Sequence, residues 1–504
     1  MDKLIYPRGP SQRLFPKKTD AYKIGHWLFA EPGVTENYDY LCSRGGMFDD
    51  LTMFGAQAHV MKYLLGPVVD EHEVRRADKF FTHYFGRNGV FNLEGWLDIA
   101  VRLKGRLPLE VWALPEGLSG IPVQTPMLTY MNTDPQHAHI VNCVEPLMFK
   151  IWNTITVASL SQHIKKVIYK FLQETGTPED TIWKLWDFGY RGVSSEESAE
   201  AAGAAHLLNF WGTDTLPAID FINEFYSDGE FDEDGDPTYL PGYGVCATEH
   251  ADMSQGGPEG QSEVIRRVLR ACPTGIVAMV GDTYNIFEFT KLMGTEFRTD
   301  VIEREGVVVV RPDSGEPIPT MMKVNWILGE QFGFTENKKG YRIFGRESDG
   351  SLIVDSKTGN ISPKIGTLQG DKNDYDAVYN MCRAYKGARW SLDNLKAFGM
   401  GGALLQASTR DTQKMKIALS SLTDKNGKWR DIHKDPITDP GKWSRFGRFA
   451  VVMENGRMVT KTLAQGEPMP AGNLLRCICR NGDLLVHDKF ETARGRADEW
   501  MKLA

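Results

Sequence analysis

The chain reads as an α/β protein: an irregular (β/α) barrel with a second, discontinuous α+β domain formed by its N- and C-terminal parts. Three observations predict this. Between residues 180 and 410 one arrangement recurs, a short β-like run, a polar or Gly-bearing turn, then a helical stretch; repeated units of this kind build a parallel sheet covered by helices. The run VVVV at 307–310 is apolar throughout, which suits a strand buried on both faces. Reactive side chains recur just after the β-like runs, where a barrel carries its chemistry.

Taken in order, residues 1–155 mix helical stretches (54–65, 73–84, 93–103) with β-like runs (109–113, 123–130). Residues 156–410 are the expected barrel. Its strands are read at 184–187, 243–248, 275–280, 307–310, 364–368 and 395–398, and its helices include 262–270, 285–292 and 374–384. Residues 411–504 read as short β runs broken by turns. The pairs Asn455-Gly456 and Asn481-Gly482 there are hairpin signals, because both residues tolerate the positive φ that a tight turn needs. Two stretches, 227–238 and 346–363, read as surface loops.

Composition removes several classes. With 41% apolar and 25% charged residues the chain is globular, not disordered. A net charge of −8 argues against general nucleic-acid or anionic-membrane binding. Seven cysteines without framework spacing read as reduced thiols, and no apolar run reaches the ~18 residues of a membrane span. A soluble, cytoplasmic protein is expected.

The loops then suggest a reaction. In DFGYRGVSS at 187–195, Ser194 and Glu197 form a capping-box pattern before an Ala-rich helix, which sets Arg191 beside a helix N-terminus suited to a phosphate. GTDT at 212–215 follows the apolar run 207–211, so Asp214 stands at a strand end where it can accept from an amide and repel a carboxylate. Glu249 and His250 end another strand; such a His acts as general base, nucleophile or plain polar partner. RPDSG at 311–315 offers Arg311 and Asp313 for phosphate and for ribose hydroxyl or Mg²⁺, and Asp282 and Asp371 add carboxylates on neighbouring loops. Gly399, Gly401 and Gly402 precede a helix expected at Ala403 and let backbone approach a phosphate. With Phe188 for a flat ring, the set suits a phosphorylated ribose and a planar base. Phosphoribosyl transfer is the natural reaction class.

TDAYK at 19–23, DFGYRGVSS at 187–195, GTDT at 212–215, PGY at 241–243 with Glu249 and His250, RPDSG at 311–315, QGD at 369–371 and TRD at 409–411 together resemble the nicotinamide phosphoribosyltransferases of the type II phosphoribosyltransferase (nicotinate phosphoribosyltransferase-like) family, in matching order along nearly the whole chain. The resemblance implies synthesis of nicotinamide mononucleotide and diphosphate from nicotinamide and 5-phosphoribosyl 1-pyrophosphate in NAD biosynthesis. It also implies Mg²⁺, ATP hydrolysis coupled through phosphorylated His250, and a homodimer with shared sites. By the same resemblance Phe188 and the partner subunit's Tyr22 sandwich the pyridine ring, and Asp214 accepts from the carboxamide. Arg191, His250 and Arg311 hold diphosphate, with Glu249 beside His250; Asp313 meets the ribose, and Asp282 and Asp313 lie close to Mg²⁺. Gly370, Asp371, Gly401, Gly402 and Arg410 surround ribose and phosphate, and Asp20 and Arg44 reach the neighbouring site. One departure stands out: without gaps, Lys416 and Ala418 occupy the family's phosphate-gripping Ser and Lys positions. Residues two apart share a strand face, so Lys416 is expected to supply the charge one step early. Two other readings stay open: a nicotinate phosphoribosyltransferase, against which the charge of Asp214 argues, and a catalytically silent binding protein of the same fold.

Overall fold

The computed structural model describes residues 15–227, 239–354 and 359–503. The chain divides into two compact units. One takes the described residues up to Ser159, a short segment from Asn223, and the chain from Thr409 onward; the other takes Leu160–Ile222 and the later residues up to Ser408. The divisions thus fall after Ser159 and Ser408, not after residues 155 and 410, and the segment from Asn223 leaves the barrel for the first unit.

The second unit is built on seven parallel strands. Along the sheet they run Gly212–Thr213, Leu185–Asp187, Leu395–Met400, Ile365–Gln369, Glu305–Arg311, Thr274–Val280 and Cys246–Ala247. The Val-rich strand sits inside the sheet, with Val308, Val309 and Val310 wholly buried, as its unbroken apolar run requires. Trp186, Ala278, Val309, Leu368 and Ala397, from five different strands, pack as one apolar cluster. The sheet edges also meet: Tyr243 N–H donates to the Trp211 carbonyl (2.7 Å) and Thr213 N–H to the Tyr243 carbonyl (3.1 Å). The barrel class read from the sequence therefore holds.

Local details differ. The helix after Arg191 is Glu196–Leu207, and its cap is Ser195, whose hydroxyl accepts from Ser198 N–H, one residue later than the expected Ser194. The apolar run 207–211 is not a strand: it finishes that helix and turns into the short strand Gly212–Thr213. The helix expected at Ala403 is a single π turn, Gly402–Gln406. The stretch 346–363 is not all loop, since Leu352–Val354 pairs antiparallel with Ile361–Pro363. Beyond Ser227, the 227–238 stretch lies outside the described residues.

The first unit centres on an antiparallel sheet of seven strands in the order Trp429–Asp431, Met415–Asp424, Val34–Ser43, Leu128–Asn132, Leu109–Ala113, Arg476–Arg480 and Asp483–Leu484. The three strands from the N-terminal part pair with one another in the middle, and strands from the C-terminal part extend the sheet on both sides, so the two chain ends share one sheet. Helices Ala56–Tyr63, Glu71–Phe85, Leu93–Val101 and His139–Phe149 supply buried residues to its main core. The tail is not only β: it ends in the helix Phe490–Leu503, whose Phe490, Ala493 and Ala497 are buried.

Candidate active site

Because the strands of the second unit are parallel, their carboxyl ends lie together, and each delivers a residue singled out above. Cys246–Ala247 leads to Glu249 and His250, Thr274–Val280 to Asp282, and Glu305–Arg311 ends in Arg311 and leads to Asp313. Ile365–Gln369 leads to Gly370 and Asp371, Leu395–Met400 to Gly401 and Gly402, Leu185–Asp187 to Phe188 and Arg191, and Gly212–Thr213 to Asp214.

His250 lies at the centre of the charged group. Its Nε2 is 3.6 Å from Asp313 Oδ2 and 3.8 Å from Asp282 Oδ1, while its Nδ1 lies 3.1 Å from the Thr283 hydroxyl. Arg311 reaches the same Asp313 oxygen at 3.8 Å. Asp282 Oδ2 accepts the Asp313 backbone N–H at 3.1 Å, which fixes the two carboxylates relative to each other. Glu249 does not pair with His250. Its carboxylate caps the short helix His250–Met253, with Asp252 closing the box, because the residue before a helix has its N–H groups nearest to hand. Thr283 and the two aspartates, not Glu249, are the groups that face the His250 ring.

Close backbone approach is concentrated at particular glycines. A Cβ on Gly370 would fall 2.8 Å from Asp313 Oδ1, so a larger residue there would displace that carboxylate. A Cβ on Gly399 would fall 2.0 Å from Phe188 Cε2, and one on Gly401 3.0 Å from the Phe188 carbonyl. Gly399 thus makes room for the aromatic ring, and Gly401 for the backbone that carries it. Asn373, unsuspected from the sequence, ties the loops together: its side-chain amide donates to the Gln369 and Gly399 carbonyls, both at 2.8 Å. Gln369 in turn donates to the Asp371 carbonyl at 2.8 Å.

At the other edge of the sheet, partial desolvation raises the Asp214 carboxyl, and Arg311 and then Arg191 pull it back. Behind it, burial raises the Asp187 carboxyl to about 6, with the Asp214 charge adding to the effect. Two polar atoms at the centre are buried without a hydrogen bond: Asp282 Oδ1, whose nearest cationic group is His250 at 3.8 Å, and Arg311 Nε. An orphaned carboxylate oxygen beside Asp313 fits a hard divalent cation. Among the described residues no group of three or more His, Cys, Asp or Glu is arranged to hold a metal, so remaining ligands would come from substrate phosphate and water.

Five candidates belong to the first unit. Asp20, Tyr22 and Arg410 line a cleft of 1040 Å³ there, with Lys17, Arg76 and Lys150. Arg44 and Lys416 are neighbours across a strand pair: Arg44 N–H donates to the Lys414 carbonyl (3.2 Å), and Lys416 pairs with Cys42. Lys416 Nζ and Arg44 Nε are buried without a partner. Burial lowers the Lys416 pKa, Cys42 opposes this and Arg44 adds to it. Two cationic groups held this close without a carboxylate bonded to either nitrogen suit an anion.

Residues 183–474 match the model of the nicotinate phosphoribosyltransferase (NAPRTase) family, and residues 15–111 that of the nicotinamide phosphoribosyltransferase N-terminal domain. A nicotinamide phosphoribosyltransferase of Xanthomonas campestris pv. campestris is 34% identical over 95% of this chain and 97% of its own length. The chain belongs to the NAPRTase family. It is accordingly a phosphoribosyltransferase. Another relative, a nicotinamide phosphoribosyltransferase of Acinetobacter baylyi, is 27% identical over 89% of this chain and 88% of its own. The NAPRTase-family fold is also visible in solved structures. Nicotinate-nucleotide pyrophosphorylase from Pyrococcus furiosus superposes with a TM-score of 0.60 at 16% identity, covering 99% of this chain and 98% of that one. Human nicotinic acid phosphoribosyltransferase gives 0.54 at 14%, covering 95% and 93%.

Proposed function

We propose that the chain transfers the phosphoribosyl group of 5-phosphoribosyl 1-pyrophosphate to nicotinamide, giving nicotinamide mononucleotide and diphosphate. Asp214 carries the choice of nicotinamide. A carboxylate accepts from the carboxamide NH₂ and repels the carboxylate of nicotinate at the same place. The names of the two bacterial relatives support the same acceptor.

The new C–N bond forms at the anomeric carbon as the bond to diphosphate oxygen breaks, with positive charge building on the sugar. Little covalent chemistry falls to the protein, and positioning and charge stabilisation do most of the work. Phe188 stacks on the ring, Arg191 and Arg311 hold diphosphate, and Asp313 takes a ribose hydroxyl. The backbone at Gly370, Asp371, Gly401 and Gly402 lies along ribose and phosphate. Asp282 and Asp313 would hold Mg²⁺ together with the diphosphate, and the ion would supply positive charge to the leaving group. His250 would take the γ-phosphoryl group of ATP, releasing ADP, and the phosphoryl oxygens would add to the ligands of the Mg²⁺ that binds diphosphate. Arg410 and Lys416 grip phosphate, and Asp20, Tyr22 and Arg44 act from the second subunit of a homodimer. Exposed Tyr22 and Phe29 (61% and 80%) supply apolar surface for it to cover. Seven free cysteines suit the cytoplasm, and no helix among the described residues is long and apolar enough to cross a membrane.

Side-by-side steady-state assays with nicotinamide and nicotinate decide the acceptor: preference for the amide is expected, and preference for the acid overturns the reading. The acid is the second reading because the matched family model carries its name. Mass spectrometry of His250 after incubation with ATP and Mg²⁺ tests the phosphohistidine.

A further inference from the structure

We propose that Asp187 is a positioning residue for the acceptor site, setting the spacing between the ring wall at Phe188 and the carboxylate at Asp214 by holding both from behind. The role rests on the reading of those two residues given above.

Asp187 is wholly buried at the end of its strand and is bonded in two directions. Its carbonyl accepts the Asp214 N–H at 2.9 Å. Its Oδ1 accepts the Gly189 N–H at 2.7 Å, closing a turn around Phe188. Asp187 also pairs with Thr213 in the parallel ladder, so the next residues on the two strands are Phe188 and Asp214. A single residue therefore anchors both walls.

The cost of keeping a carboxyl here is visible. Its Oδ2 and the Thr215 hydroxyl are both buried, and the hydroxyl favours the Asp187 charge although the contact is not a well-formed hydrogen bond; a buried oxygen so weakly paired is destabilising. Gly203 leaves room for it, since a Cβ there would fall 3.3 Å from Oδ2. Volume alone would be filled better by an apolar side chain, as at Leu185 on the same strand. What an apolar residue cannot do is accept the Gly189 N–H and lock the turn. Asn can, at nearly the same size.

The test compares Asp187→Ala with Asp187→Asn in steady-state kinetics. The Ala variant is expected to raise the KM for nicotinamide tenfold or more while the KM for 5-phosphoribosyl 1-pyrophosphate stays within twofold; the Asn variant is expected to stay within threefold for both. If the Ala protein does not fold, Asp187→Val, which likewise carries no acceptor for the Gly189 N–H, replaces it. An unchanged amide KM in the Ala or Val protein overturns the proposal, as does an equal rise for both substrates, which would mark a general loss of structure. Asp214→Asn separates the two levels. If that variant keeps the full amide-over-acid preference, the acceptor reading fails, whatever Asp187 does.

Discussion

At the scale of single residues, the active centre depends on which carboxylates face which cations. Asp214 is the group proposed to discriminate between the acceptors, and hydrogen bonds to a charged acceptor are worth about 1.5–3 kcal/mol. Asp214→Asn is therefore expected to lower kcat/KM for nicotinamide about tenfold to a hundredfold and to erase most of the preference over nicotinate. Competition assays with the two acceptors check it. Lys416 tests the departure from the family pattern. Its buried, partnerless ammonium beside Arg44 is expected to grip phosphate, so Lys416→Ala should raise the KM for 5-phosphoribosyl 1-pyrophosphate about tenfold, the loss of one charge-assisted bond. The amide KM should not move. Glu249 shows the limit of adjacency as a guide. It neighbours His250 in the sequence, yet its carboxylate is occupied by the helix N-terminus.

At the scale of elements, hairpin turns obey local rules and were the most legible. Asn455 and Gly456 join Arg448–Glu454 to Arg457–Leu463 with φ of 50° and 75°. A side chain at such a φ costs roughly 1–2 kcal/mol, so Gly456→Ala should lower stability by about that amount in urea titration and leave turnover unchanged. The glycines at 399–402 were legible as close approach but not as to what approaches. Two of them make room for Phe188 and its backbone, which no local pattern encodes. Gly399→Ala forces the ring aside from a 2.0 Å clash. It is expected to raise the nicotinamide KM severalfold with the KM for the sugar substrate unchanged, and steady-state kinetics with each substrate varied separate the two. Elements with weak signals were misread. The two-residue strand at 212–213 is too short for any period, and the helix Phe490–Leu503 lies in a tail dominated by β runs.

At the scale of the whole molecule, buried acids tie stability to pH. In the first unit, Asp39 is buried and accepts the Tyr130 hydroxyl; burial raises it from 3.8 to about 7. Burial also lifts Glu116 to about 7, although it accepts two backbone N–H groups. A carboxyl raised in the folded state favours folding while protonated, so its contribution is present below about 4 and is lost as pH climbs through about 7. Asp39→Asn keeps the acceptor for Tyr130 but not the charge. Its stability advantage over the parent should grow between pH 4 and 7 and then level off, with a ceiling of about 4 kcal/mol. Denaturant titrations at pH 5 and pH 8 check the sign: an advantage larger at pH 5 contradicts it.

The amino-acid order by itself determined the barrel class and the hairpins, and it singled out residues that the parallel strands bring to one end of the sheet. Strand periodicity, turn chemistry and motif spacing are all local properties, written within a few residues of each other. Only the tertiary structure decided that Asp282, Asp313 and Thr283 surround His250, that Glu249 is a cap, that Gly399 makes room for a ring, and that Asp187 lies behind Asp214. These are distances between segments far apart in the chain. They follow from how parallel strands line up and how side chains fill the space between them, and no short stretch of sequence contains that information.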